Sequence, residues 1–139
     1  MKVIVLDIDG VLNYTASGSD FEPELVGWPN RLVEASGAGV VTSSSWRLDF
    51  ELDRLVEFLQ AAGFAGQVIG VTPDLEGLGR GSEIAEWLRD NDAGSFVVLD
   101  DEADVGALSD HLVRTSPYRG LGPREVEQAL SILGVSDEQ

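Results

Sequence analysis

The chain has 139 residues and no cysteine, which excludes disulfides, thiolate metal sites and thiol redox chemistry. Positive charge is scarce as well. Nine Lys and Arg stand against 25 Asp and Glu, for a formal net charge of −16. A surface of that sign repels nucleic acid and anionic membranes, so unaided binding to a polyanion is disfavoured. Histidine occurs once, at His111 in a helix-like segment, where it reads as structural or exposed and without a catalytic role. No apolar run approaches the roughly 20 residues that cross a bilayer. Strand-like sequence starts at Lys2, without the basic and apolar regions of a secretory leader. These absences predict a soluble, cytoplasmic protein with no membrane partner.

What is present fits one globular domain over residues 1–139, with 43% hydrophobic residues to build a core. Apolar segments of strand and helix character alternate. Strands are expected at 2–8, 39–43, 67–71, 95–99 and 112–115, and helices at 22–36, 48–62, 82–91, 104–111 and 123–133. Pro29 argues for a late start or a break in the first helix. Ser82 is the expected cap of the third. Gly63 is the expected stop of the second, whose apolar face is Leu48, Leu52, Leu55, Val56 and Leu59. This alternation predicts an α/β fold: a Rossmann-like, doubly wound, mainly parallel sheet with helices on both faces.

The most informative segment is Val3-Ile4-Val5-Leu6-Asp7-Ile8-Asp9-Gly10-Val11-Leu12. A buried strand runs into two carboxylates, and period-two alternation sets Asp7 and Asp9 on one side, roughly 6–7 Å apart at Cα. Buried acids are costly unless a cation or a reaction needs them. The carboxyl ends of the strands are also where open α/β sheets hold ligands. The same design recurs. The strand at 95–99 runs into Asp100 and Asp101, with Glu102 and Asp104 beyond, and the strand at 39–43 ends in Thr42-Ser43-Ser44-Ser45. Carboxylates converging on one edge call for a hard cation with oxygen ligands. Mg²⁺ fits, because it accepts a few carboxylates and completes its octahedron with water and phosphate oxygens. Hydroxyls and an arginine nearby would hold the remaining oxygens of a phosphate.

In these features the chain resembles the haloacid dehalogenase (HAD) superfamily. Asp7-Ile8-Asp9-Gly10-Val11-Leu12 matches its nucleophile motif, and Ser43 its second-motif hydroxyl, with Thr42 and Ser44 as alternatives. Arg80 in Gly79-Arg80-Gly81-Ser82-Glu83-Ile84 is the best match to the third-motif cation, and Asp100-Asp101 matches the fourth-motif acidic pair. More narrowly, Ser43-Ser44-Ser45-Trp46-Arg47, Thr72-Pro73, Arg80-Gly81, Glu83-Ile84 and Gly120-Leu121 resemble the HAD domain of Swiss Army Knife RNA-repair proteins.

The resemblance implies a Mg²⁺-dependent phosphatase acting through an aspartyl-phosphate on Asp7, with Asp9 as general acid and base. Asp7, the Asp9 backbone carbonyl and Asp101 would hold the metal, with Asp100 in direct or indirect support. Ser43 and Arg80 would stabilise the transferring phosphoryl group. An acid at position 9 points to phosphoryl chemistry within the superfamily, because the dehalogenase-like members lack one. Neither the interval from Gly10 to the second motif nor the one from Ser44 to Arg80 has room for the cap domain of related phosphatases. The site is therefore expected to be open, with residues 14–21 as a short flap at most.

Other residues have plainer readings. Arg47 either reaches substrate phosphate or pairs with Asp49, Glu51 or another nearby acid. Trp28, Trp46 and Trp87 read as core rather than base-stacking platforms. The stretch from Gly77 to Gly81 lacks the Lys-Ser/Thr ending of a nucleotide P-loop and reads as a mobile turn. Three functions remain: a phosphatase for a bulky phosphorylated substrate, a non-catalytic phosphate- and metal-binding regulatory module, and a phosphatase of nucleic-acid ends working beside a partner that supplies the binding surface.

Overall fold

A computed structural model of the protein describes residues 1–14, 22–101, 105–116 and 118–135. Most of the expected flap, and Glu102 and Asp104, lie outside the described residues. Five parallel strands form the sheet: β1 (Lys2–Leu6), β2 (Gly39–Thr42), β3 (Val68–Val71), β4 (Ser95–Asp100) and β5 (Leu112–Arg114). Their order is β3-β2-β1-β4-β5, so the nucleophile-motif strand is central and buried on both faces. Among the described residues, α1 (Pro23–Ser36), α2 (Leu52–Ala61) and α3 (Arg80–Asp90) connect β1 to β4 in turn, and α4 (Pro123–Leu133) follows β5.

Period-two alternation divides the core. Ile4, Leu6, Val40, Val97 and Leu99 face one side and pack with Val26 and Leu32 of α1, Leu59 of α2, and Val126, Ala129 and Leu133 of α4. Val3, Val5, Val41 and Val98 face the other, beneath Ile84 of α3 and Val105. This is the two-faced α/β sheet that the alternation predicts.

Several boundaries differ from the sequence expectation. β1 stops at Leu6 rather than at residue 8, because Ile8 turns and its carbonyl accepts from Val11 N and Leu12 N. α1 runs unbroken through Pro29, which is buried with Leu25, Val26 and Leu32; the packing of this face offsets the lost backbone bond. The expected helix over 48–62 is two elements. A 3₁₀ turn (Ser45–Leu48) precedes α2, and the extended conformation of Glu51 separates them, leaving Leu48 57% exposed. Ser82 does not cap α3, which begins two residues earlier at Arg80 with Gly79 as its N-cap, so the expected turn ends at Gly79. β4 extends one residue further, to Asp100. The segment expected as a helix over 104–111 is a 3₁₀ turn (Gly106–His111) in its described part. His111 is structural: its ring stacks on Phe96 at 4.0 Å, with Nδ1 3.1 Å from the Phe96 carbonyl oxygen.

Ile84 is the residue through which α3 presses on the sheet, and it is fully buried. Ile84→Ala is expected to cost about 2–5 kcal/mol, as deletion of buried aliphatic groups does. Urea denaturation of the two proteins measures this, and a difference below about 1 kcal/mol would show that Ile84 does not anchor α3.

Candidate active site

The site follows from strand alternation carried one residue past β1 and β2 and to the last residue of β4. Asp7 continues the row Val3, Val5; Ser43 continues Val41; Asp100 continues Val98. All three belong to α3's face of the sheet. The ladder holds to this edge, with Asp7 N donating to the Leu99 carbonyl at 3.1 Å and Ser43 N to the Leu6 carbonyl at 3.2 Å. Apolar packing beneath and a hydrogen-bonded main chain therefore fix these polar side chains from below.

Asp7 and Asp100 are almost wholly buried and Asp101 is half-buried, and one carboxylate oxygen from each lies within 4.8 Å of the others. Arg80, the first residue of α3, joins this cluster from the opposite layer. Its Nη1 donates to Asp7 Oδ2 at 3.0 Å and to Asp100 Oδ2 at 2.7 Å. The other oxygen of Asp7 accepts from Ile8 N at 2.8 Å. Burial is the largest influence on Asp7, and the neighbouring Asp100 charge adds to it. Arg80 and the Ile8 amide oppose them, and the balance pushes the Asp7 pKa from its ordinary 3.8 up to about 8.

Gly10 makes the fourth-motif approach feasible. Its φ is +79°, and a Cβ there would lie 2.2 Å from Asp101 Oδ2. The first-motif loop is tied from the far end of the chain. Thr115 Oγ1 donates to the Gly10 carbonyl at 2.7 Å, and Leu121 N to the Val11 carbonyl at 2.9 Å. The donor set is three carboxylates, with Gly10 letting Asp101 approach the first-motif loop, and it suits a hard cation with oxygen ligands.

Asp9 sits differently from its expected place. Because β1 ends before it, the Asp9 carboxylate does not join the Asp7–Asp100–Asp101 group. It accepts from Trp46 Nε1, at 3.2 Å from both oxygens, and from Asn13 Nδ2 at 3.0 Å. Asn13 is itself buried, and its Oδ1 accepts from Gly10 N at 2.8 Å. Trp46 is half-buried rather than core, and packs against Phe50 and Phe58.

The three candidate hydroxyls of the second motif separate cleanly. Thr42 Oγ1 accepts from Ser44 N, and Ser44 Oγ accepts from Trp46 N, so both serve the turn after β2. Ser43 Oγ is buried and has no hydrogen-bond partner among the described residues.

Arg47 does not reach toward a phosphate, nor does it pair with Asp49 or Glu51. Its five N–H donors meet five acceptors: the carbonyls of Ser43, Ser44, Thr72 and Pro73, and Glu83 Oε1 at 2.8 Å. Glu83 Oε2 accepts from Leu75 N at 3.0 Å. Neither the Asn13–Trp46 bonds to Asp9 nor this clamp has a local pattern in the sequence.

Comparison with known proteins now gives the class. A family model described as "HAD domain in Swiss Army Knife RNA repair proteins" matches residues 3–126. The chain belongs to this family of HAD domains. No curated protein and no solved structure matches it significantly.

The raised Asp7 pKa has a definite sign in stability. Between its ordinary 3.8 and about 8, the folded state keeps a proton on Asp7 that the unfolded state releases. Stability of the metal-free protein therefore falls as pH rises through this window, and the contribution levels off above it. In chelator-treated protein, the wild-type urea midpoint should drop more steeply from pH 4 to 8 than that of Asp7→Asn. Parallel curves would show that Asp7 titrates normally.

Proposed function

We propose that this domain is a Mg²⁺-dependent phosphomonoesterase with Asp7 as nucleophile. The observation that carries the reading is the convergence of Asp7, Asp100, Asp101 and Arg80 around one point, with the Ser43 hydroxyl beside it on the same face. Asp7 and Asp101 would hold the metal with the Asp9 main-chain carbonyl, and Asp100 would support it directly or from behind these ligands. Bound there, the cation would neutralise the acids, keep Asp7 ionised and polarise the phosphoryl oxygens.

Asp7 Oδ attacks phosphorus in line, and the bond to the leaving oxygen breaks as the aspartyl-phosphate forms. Asp9 gives its proton to that oxygen. It then takes one from the water that attacks the phosphorus of the acyl phosphate, which releases inorganic phosphate and restores Asp7. Trp46 and Asn13 set the reach of Asp9. Oδ1 receives bonds from both, whereas Oδ2 receives only the shared indole bond among the described residues, leaving it the oxygen to carry the proton. Arg80 and Ser43 stabilise charge on the transferred group, where positioning and electrostatics supply most of the catalysis.

The interval from Ser43 to Arg80 holds a 3₁₀ turn, α2, β3 and a loop rather than a cap, which supports an open site. Phe50, 39% exposed, packs on Trp46, whose indole holds Asp9. We favour a bulky phosphomonoester, and membership of a family of HAD domains from RNA-repair proteins directs the choice to a nucleic-acid end. The net charge of −16 then requires another protein or domain to hold the polynucleotide.

Hydrolysis of an aryl phosphate should require Mg²⁺, fall at least about 10³-fold in Asp7→Asn, and stop on chelation. Phosphate and Mg²⁺ binding without turnover would replace this reading by a non-catalytic binding module. For the substrate class, oligonucleotides with 3′- or 5′-phosphates should be cleaved faster than the aryl ester. Equal or slower release would remove nucleic-acid ends from the proposal.

A further inference from the structure

Among the described residues, two buried side-chain polar atoms lack any hydrogen-bond partner: Ser43 Oγ and Thr72 Oγ1. Ser43 has a place in the reading above, and Thr72 has none. Thr72 is 2% exposed and follows β3 as Ser43 follows β2. Its N–H donates to the Thr42 carbonyl at 3.1 Å, which continues the ladder. A Cβ at Gly70 would lie 3.2 Å from Trp87 Nε1 of α3, so alternation places position 72 on α3's face too. Thr72, Ser43, Asp7 and Asp100 thus form one row across four adjacent strands, β3-β2-β1-β4. Adjacent members are about 4.8 Å apart, one strand spacing.

A buried hydroxyl without a partner costs about 1–3 kcal/mol, and a fold normally removes the cost by letting the side chain turn to a nearby carbonyl. Here the main chain forbids easy adjustment. Arg47 holds the carbonyls of Ser43, Ser44, Thr72 and Pro73 at 2.9–3.3 Å, and Glu83 neutralises it at 2.8 Å. Thr72 is also β-branched and stiff at χ1. The two segments that carry the unsatisfied hydroxyls are the two that one buried guanidinium clamps. Donors held in place and left without a partner are the signature of a preorganised oxyanion site.

We propose that the Thr72 hydroxyl is a second oxyanion donor, standing beside Ser43 and taking an oxygen of the phosphorylated substrate, with Arg47 and Glu83 as its positioning residues. This rests on the phosphomonoesterase reading and extends it. Two hydroxyls one strand spacing apart lie within reach of a single tetrahedral anion whose oxygens each accept a bond of about 2.8 Å.

The test uses inorganic phosphate with Mg²⁺ present and reads both the phosphate Kd and the ligand-free melting temperature. Thr72→Val replaces the hydroxyl by a methyl at nearly constant volume. The phosphate Kd should rise at least about tenfold, as loss of a hydrogen bond to a charged group predicts. The ligand-free melting temperature should stay level or rise, because an unsatisfied buried polar group has gone. Thr72→Ser restores the hydroxyl and should bring the Kd back to within about threefold of wild type. An unchanged Kd in Thr72→Val overturns the proposal. So does a lowered melting temperature with weakened binding that Thr72→Ser fails to recover, which would make the hydroxyl part of the fold alone. Absence of phosphate binding by the wild type is a separate result and would overturn the phosphomonoesterase reading itself.

Discussion

Three carboxylates cannot all stay ionised in one largely buried corner without positive charge between them, and this constraint organises the carboxyl edge of the sheet. Asp7 and Asp100 come from adjacent strands with almost no solvent to screen them, and Asp101 closes the triangle. Arg80 supplies the charge in the protein alone, from the first residue of α3. The start of that helix is therefore an electrostatic matter as much as a packing one. Ile84, one turn on, fixes its height above the sheet, and Glu83 joins its first turn to Arg47 and the loops after β2 and β3. A buried ion pair is weak support for stability by itself. Here the two arginines act through geometry: Arg80 gathers the acids, and Arg47 shapes the neighbouring wall.

Much of this was legible in the sequence because it obeys short periods. Apolar runs that end in acids or hydroxyls mark strands and their ligand-facing ends, and α4 occupies the very segment, 123–133, that its pattern predicts. Asp7, Asp100 and Asp101 could be singled out for the same reason, whereas Arg80 stood out only by its resemblance to the third motif. The rest depends on contacts between residues far apart in the chain. Trp46 reaches Asp9 across 37 positions and Arg47 reaches Thr72 across 25, so neither contact leaves a local signature. Ser82 shows the opposite error. It has the chemistry of a cap, but the pull of Asp7 and Asp100 on Arg80 favours a helix that starts two residues earlier. The choice among Thr42, Ser43 and Ser44 was closed to sequence alone, because adjacent hydroxyls differ only in which face each takes.

Asp9 illustrates how a familiar motif is adapted locally. The motif fixes an acid two residues after Asp7, yet the turn at Ile8 carries it away from the buried cluster and toward Trp46 and Asn13. Two carboxylates close in sequence thereby acquire separate surroundings, one dry and beside other acids, the other held by two neutral donors. Separation of this kind is what lets paired acids take different parts in a reaction. The aromatic group of Trp46, Phe50 and Phe58 makes the support of Asp9 continuous with the surface.

The bond from Thr115 to Gly10 joins residues 105 positions apart, and Leu121 reinforces it at Val11. Chains are made from the N-terminus, at about 5–20 residues per second. The loop bearing Asp7 is thus synthesised roughly 5–20 s before the residues that tie it down. During that interval the nascent chain carries its acidic loop without the latch that shapes it. Contacts of such long range also slow the final search for the native state. The shape of this loop is completed late, by the residues after β5, on a segment made well before them.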